Sequence, residues 1–178
     1  MRIVAGRWRS RRLVAPEGRR TRPTADRVRE TLFAMLGSRL GDWAGLAVLD
    51  LFAGSGALAL EALSRGAAEA LLIDTDPAAR RAAEANIRAL GAPARVWPVD
   101  ATRLPPAPRA FGLVLADPPW GRGLAGPALV AALAQGWIAP GAWVAVETGR
   151  AEDVDVPGLE PVVTRAVAAS RLHLLRRS

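Results

Sequence analysis

From residue 46 onward, unbroken apolar runs alternate with helix-like segments, and this alternation limits the fold more than any other feature of the 178-residue chain. The runs are LAVLDLF (46–52), EALLID (69–74), ARVWPVD (94–100), FGLVLAD (111–117) and AWVAVET (142–148). None shows the in-and-out alternation of a strand with one wet face, so each is expected to be buried on both faces. Helical patterns follow the first, second and fourth runs. The clearest is opened by Asp76-Pro77, runs through Ala83, Ile87 and Leu90, and is closed by Gly91. Such a chain reads as a parallel sheet covered by helices on both sides. The tail, PVVTRAVAASRLHLLRR, reads as a closing antiparallel hairpin.

The first part of the chain departs from this pattern. RIVAGRWRSRRLVAP reads as two short strands, around Ile3-Val4 and Leu13-Val14, joined by an arginine-rich turn. A helix follows Pro23, with Thr24 as its expected N-cap, Asp26 in its first turn and an end at Gly37 or Gly41. The expected organisation is a basic hairpin extension over residues 1–20 and one α/β domain over 21–178.

Charge separates the two parts. The net +7 is carried by arginine alone, because the chain has no lysine. Residues 1–29 hold ten arginines against two acids, a local balance of +8, whereas the other 149 residues balance at −1. A concentration of guanidinium groups that can clasp phosphates in a bidentate way points to nucleic acid. The RNA-contact candidates are Arg2, Arg7, Arg9, Arg11, Arg12 and Arg22, with Trp8 among them. Trp8 could stack a base or pin the hairpin to the domain, and its sequence context fits both.

Several chemistries are excluded. The absence of cysteine rules out disulfides and thiolate metal sites and fits a cytoplasmic location. One histidine, His173, is too few for a histidine metal cluster or a Ser-His-Asp triad, so no metal is expected. No apolar run has the ~18 residues a membrane helix needs, and no signal-peptide pattern opens the chain. A monomer without membrane partners is expected.

Acids stand at the ends of four of the runs. Asp50 precedes Gly54 and Gly56, whose turn lets a ligand approach the backbone at a helix N-terminus. The pattern Gly54-x-Gly56-x-x-Ala59 would also suit NAD, but an acid beside it better suits a ligand bearing an ammonium group. Asp74 can accept both hydroxyls of a ribose, while Asp76, before Pro77, is placed to cap a helix. Asp100 can accept from an adenine amino group or simply cap a loop. Together these acids outline a pocket for S-adenosylmethionine.

The fourth run ends in Asp117-Pro118-Pro119-Trp120. Two prolines cannot continue a central strand and make the turn rigid. Asp117 and the Pro118 carbonyl can accept hydrogens from an exocyclic amine, and Trp120 offers a face for a flipped-out base.

With these motifs assembled, the chain resembles the class I S-adenosylmethionine-dependent methyltransferases, and more closely the RsmD family. The resemblance runs through RIVAGRWRSRRL, TRPTADRVRETLFAML, VLDLFAGSGALALEALSRGA, LADPPW and the closing hairpin. It implies a Rossmann-like, seven-stranded, mostly parallel sheet with an antiparallel last strand. It also implies methylation of guanine N2 in 16S rRNA, at guanine-966, on assembled small subunits. Cofactor contacts implied by the resemblance come from Asp50, Phe52, Ala53, Gly54, Ser55 and Gly56, from Asp74 with Thr75, and from Asp100 with Ala101. Thr24 and Arg27 would lie near the cofactor carboxylate. Asp117, Pro118, Pro119 and Trp120 would form the catalytic turn. One departure stands out: the family's turn usually ends in Tyr or Phe, and here it ends in Trp120.

Overall fold

The computed structural model describes residues 1–17 and 23–178, and side chains outside residues 18–25. Its sheet has seven strands: β1 (Ala47–Leu51), β2 (Glu69–Ile73), β3 (Ala94–Trp97), β4 (Phe111–Ala116), β5 (Ile138–Gly149), β6 (Leu159–Val167) and β7 (Ser170–Arg177). The spatial order is β3-β2-β1-β4-β5-β7-β6, with β1 to β5 parallel and β7 antiparallel to both of its neighbours. The chain proceeds from β1 outward to β2 and β3, then returns to β4 on the other side of β1. That reversal opens a crevice at the carboxyl ends of β1 and β4, where sheets of this kind bind ligands.

The apolar runs divide between the two faces by strand periodicity. Val48, Leu113, Ala145 and Leu174 face one core with Leu32, Phe33 and Leu36 of α1 (Pro23–Leu40) and Leu60 and Leu63 of α2 (Ala57–Ser64). Leu49, Leu51, Val114 and Val146 face the other with Ala128, Leu129 and Ala132 of α4 (Ala125–Ala134) and the fully buried Trp137. α3 spans Pro77–Leu90, capped by Asp76, which accepts from Ala78 N at 2.9 Å, and closed by Gly91 at φ 59°. Both ends agree with the sequence expectation.

α1 differs from expectation. It begins at Pro23, so Thr24 lies inside the first turn and not at the cap; proline is favoured there because its missing N–H has no helical partner to lose. Gly37 stays helical, and Gly41, at φ 69°, follows the last helical residue.

The N-terminal hairpin is narrower than two strands. One bridge pairs Arg2 with Arg12, supported by bonds from Ile3 N to Arg11 O and from Leu13 N to Met1 O. It is nevertheless built into the domain. Ile3 is fully buried and Leu13 nearly so. The fully buried Glu61 of α2 accepts from Val4 N at 2.7 Å and Ala5 N at 3.0 Å. Ser64 Oγ donates to Ala5 O and accepts from Trp8 N. A side chain at Gly6 would bring its Cβ within 1.9 Å of Ser64 O, so only glycine permits this approach.

Candidate functional site

A cleft of about 570 Å³ opens at the switch point, lined by the glycine loop and by the Asp117–Trp120 turn. The loop is held in shape by its neighbours. Phe52 takes a left-handed φ of 61°, a conformation that is strained for an aromatic residue and clusters at functional sites. Gly54 N donates to Asp74 Oδ2 at 2.8 Å, and Asp76 N donates to Asp74 Oδ1 at 2.9 Å. The end of β2 is thus tied directly to the loop after β1. At Gly56 a Cβ would lie 2.7 Å from Leu72 Cδ2, which lets the loop pack tightly on the sheet.

Asp50 lies beneath this loop, almost fully buried. Its Oδ2 accepts from Ala59 N at 3.0 Å. Its Oδ1 is buried without a hydrogen-bond partner among the described residues. Burial, more than the nearby Asp117 and Asp74 charges, pushes this carboxyl up to about 8. Asp50 stands two residues before the cleft-lining Phe52 and does not itself line the cleft; its orphaned acceptor would suit a cationic donor that reached it through the glycine loop.

Asp100 lies farther out and is exposed. Its Oδ1 accepts from Thr102 N and Thr102 Oγ1, both at 2.8 Å, capping a short 3-10 turn (Ala101–Arg103). The Thr102 amide first, and its hydroxyl next, hold the Asp100 carboxyl below its usual range. Capping is therefore the role visible in its contacts. Ala101 is buried beside it and Thr75 is exposed at the end of β2.

In the turn, Asp117 is exposed, Pro118 buried, and Pro119 and Trp120 half-buried; all four line the cleft. Leu51 pairs with Ala116, so Phe52 and Asp117 leave adjacent strands side by side. The closing hairpin also reaches the cleft, through Ala168, Ala169 and Ser170 at its tip.

Three polar residues that strand-end reading passed over complete the surroundings. Glu147, near the end of β5, lines the cleft and accepts from Ser170 Oγ at 2.6 Å. The rule that singles out Asp50, Asp74, Asp100 and Asp117 points equally to Glu147 in AWVAVET. Arg29 of α1 lines the cleft while almost fully buried, donating to Arg2 O and, at 2.9 Å, to Asp26 Oδ1. Asn86 of α3 is buried and joins the hairpin to the glycine loop. It accepts from Val14 N at 2.8 Å and donates to Val14 O at 2.9 Å and Ser55 O at 3.0 Å. No local sequence pattern marks Asn86, because its partners lie 31 and 72 residues away.

Of the basic candidates, Arg2, Arg7, Arg9, Arg11 and Arg12 are exposed on the hairpin, and Arg27 is exposed on α1. Arg22 and the side chain of Thr24 lie outside the described residues. Trp8 packs against the core, with the Arg7 guanidinium 4.1 Å above its ring. Its ring therefore anchors the hairpin, and a base could stack there only after Arg7 moved aside. Among the described residues no group of three or more His, Asp or Glu side chains is arranged to hold a metal ion, and no helix is long and apolar enough to cross a membrane.

Comparison with known proteins places these features in a family. The family model described as "Conserved hypothetical protein 95" matches residues 1–175. The Escherichia coli (strain K12) ribosomal RNA small subunit methyltransferase D is 43% identical over 150 residues, covering 83% of this chain and 74% of the relative. The solved structure of the Escherichia coli protein yhhF is 36% identical, with a TM-score of 0.85 over 100% of this chain and 98% of that one. The fold also matches the Thermus thermophilus 16S rRNA N2 G1207 methyltransferase RsmC, solved with AdoMet and guanosine. That likeness is 21% identical with a TM-score of 0.67, over 91% of this chain and 45% of that one. With hairpin, glycine loop and Asp-Pro-Pro turn all inside the matched region, the chain belongs to the RsmD family, whose model spans residues 1–175.

Proposed function

We propose that this protein transfers a methyl group from S-adenosylmethionine to the exocyclic N2 of a guanine in 16S rRNA. By the resemblance stated above, the guanine would be guanine-966 and the substrate the assembled small subunit. The observation that carries the reading is that the glycine loop and the Asp117–Trp120 turn, leaving adjacent strands, line one cleft. The named activity of the Escherichia coli relative supports the substrate class.

S-adenosylmethionine, when bound, supplies an electrophilic methyl group. Asp50 would neutralise its ammonium end, the Phe52–Gly56 backbone would line its methionine part, and Asp74 would accept from its ribose. Thr75, Asp100 and Ala101 would border the adenine, and Thr24 and Arg27 the carboxylate. In the same cleft, Asp117 and the Pro118 carbonyl accept the hydrogens of the guanine amine. They hold its lone pair out of the ring plane and toward the methyl donor. Pro118 and Pro119 keep those acceptors pre-aimed, so little reorganisation is needed at the moment of reaction. Asp117 need not be a strong base, because the methylated amine becomes acidic and sheds its proton late. Trp120 supports the flipped base by stacking, and the exposed hairpin arginines engage RNA phosphates. Incubation of the protein with labelled S-adenosylmethionine and unmethylated 30S particles should place label in 16S rRNA; no incorporation would overturn the reading.

Two further expectations follow from individual side chains. Stacking on an aromatic side chain is worth about 1–3 kcal/mol per base, so Trp120→Ala should lower kcat/KM for 30S by roughly 5- to 150-fold. Trp120→Tyr should keep most activity, since the flat face remains. A large loss in Trp120→Tyr, measured by steady-state kinetics, would mean that the indole itself is required.

Asp50 makes cofactor binding pH-dependent. Its folded pKa, about 8, lies above the usual 3.8, so the free protein holds a proton there at neutral pH. That proton must leave when an ammonium group binds. Cofactor affinity measured by calorimetry should therefore rise as pH increases from 6 toward 8, with proton uptake by buffer. Asp50→Asn should bind more weakly and lose most of this slope. The same shift means that the Asp50 contribution to stability of the free protein falls as pH rises from about 4 to about 8.

A further inference from the structure

We infer that Glu147 is a specificity-determining residue that reads the N1–H of the target guanine and rejects purines whose N1 is unprotonated. The inference rests on the guanine-N2 reading above and deepens it.

Three observations converge. First, Ala116 pairs with Val146, so Asp117 and Glu147 stand next to each other on adjacent parallel strands, both lining the cleft. Neighbouring strands are about 4.8 Å apart, a spacing over which two carboxylates can address neighbouring donors on one base edge. Second, Trp120 abuts β5 at Gly149, where an added Cβ would lie 3.4 Å from Trp120 Cβ. Glu147 and Gly149 share a face of β5, so a base stacked on Trp120 would turn an edge toward Glu147. Third, Ser170 Oγ donates to Glu147 Oε1 at 2.6 Å, which fixes the carboxylate from the hairpin tip.

Guanine presents N2–H and N1–H side by side. If Asp117 and Pro118 take the amine, the next donor is N1–H, and a carboxylate is an acceptor that cannot donate in return. Adenine and 2-aminopurine place an N1 lone pair at that position, facing a negative charge. A site built around a hydrogen bond discriminates strongly against the partner that lacks it. Glutamine keeps the shape of Glu147 but can either accept or donate, so it should tolerate both bases.

The test uses reconstituted 30S particles carrying either guanine or 2-aminopurine at the position the wild-type enzyme methylates. Wild type should favour guanine by about 100-fold in kcat/KM, and Glu147→Gln should shrink this preference by at least about tenfold. S-adenosylmethionine affinity should stay within about threefold. An unchanged preference in folded Glu147→Gln would overturn the inference, as would loss of cofactor binding, which would make Glu147 part of the cofactor site. Should Glu147→Gln fail to fold, Ser170→Ala removes one hydrogen bond that orients the same carboxylate. It should raise KM for guanine particles by about threefold with cofactor affinity kept, and an unchanged KM would overturn the inference. Absence of guanine-N2 methylation by wild type would instead overturn the underlying reading, so the two failures are distinguishable.

Discussion

Replacing Asp117 with alanine should slow methyl transfer by about 10²- to 10³-fold, the range expected when one pre-aimed polar group is removed from a reacting centre. The residue sits exposed at the carboxyl end of β4, outside both cores, so the fold should survive. Cofactor binding should survive as well. The Asp117 charge helps keep Asp50 protonated, after burial as the main cause, so its removal should leave affinity unchanged or slightly tighter near neutral pH. Asp117→Asn keeps one acceptor oxygen and should retain roughly tenfold more activity than the alanine variant. Single-turnover kinetics and calorimetry separate the two effects. A parallel collapse of cofactor affinity in Asp117→Ala would move this residue to the cofactor side of the cleft.

The second large effect concerns stability. Glu61 is fully buried in α2 and accepts from Val4 N, Ala5 N and, at 2.9 Å, Arg65 Nε, with Arg29 Nε at 3.8 Å. Glu61→Ala would strand two hairpin amides and remove one of the two carboxylates beside the nearly buried Arg29 guanidinium, which would keep Asp26. Breaking a buried charge pair from one side costs about 3–5 kcal/mol, which for a domain of this size lowers Tm by about 10 °C. Thermal melts followed by circular dichroism would show it; a shift below about 2 °C would mean that the hairpin is not held through Glu61. The same geometry bears on how RNA contact is tested. Deleting residues 1–15 would remove Ile3 and Leu13 from the core and also take away the two amide donors, Val4 N and Ala5 N, that Glu61 accepts from, so it unfolds more than it informs. Charge reversal at the exposed Arg7, Arg9 and Arg12 leaves those bonds in place.

Local chemistry accounts for what the sequence made legible. Asp76-Pro77 and Gly91 bound α3 because a capping carboxylate, a proline in the first turn and a left-handed glycine each act within a few residues. The strand ends carrying Asp50, Asp74 and Asp117 were readable for the same reason, and they lie in one region: Asp74 holds the glycine loop, and Asp117 lines the same cleft from the neighbouring strand. β5 was harder. The apolar run covers 142–148, yet the strand begins at Ile138, its ladder with β4 shifting register between Phe111 and Leu113 to pass Pro140-Gly141. Glu61 and Asn86 were illegible because each looks like a surface residue of an amphipathic helix until the distant hairpin is laid over it. Asp100 shows the opposite limit, since a strand-end acid can turn one carboxylate oxygen to capping its own turn.

The central claim, methylation of a guanine amine, is tested most directly by the identity of the modified nucleoside. Unmethylated 30S particles would be incubated with the protein and isotopically labelled S-adenosylmethionine, and the 16S rRNA digested and resolved by mass spectrometry. The account predicts label in N2-methylguanosine at a single position. Label in N6-methyladenosine, or in no nucleoside at all, would contradict it.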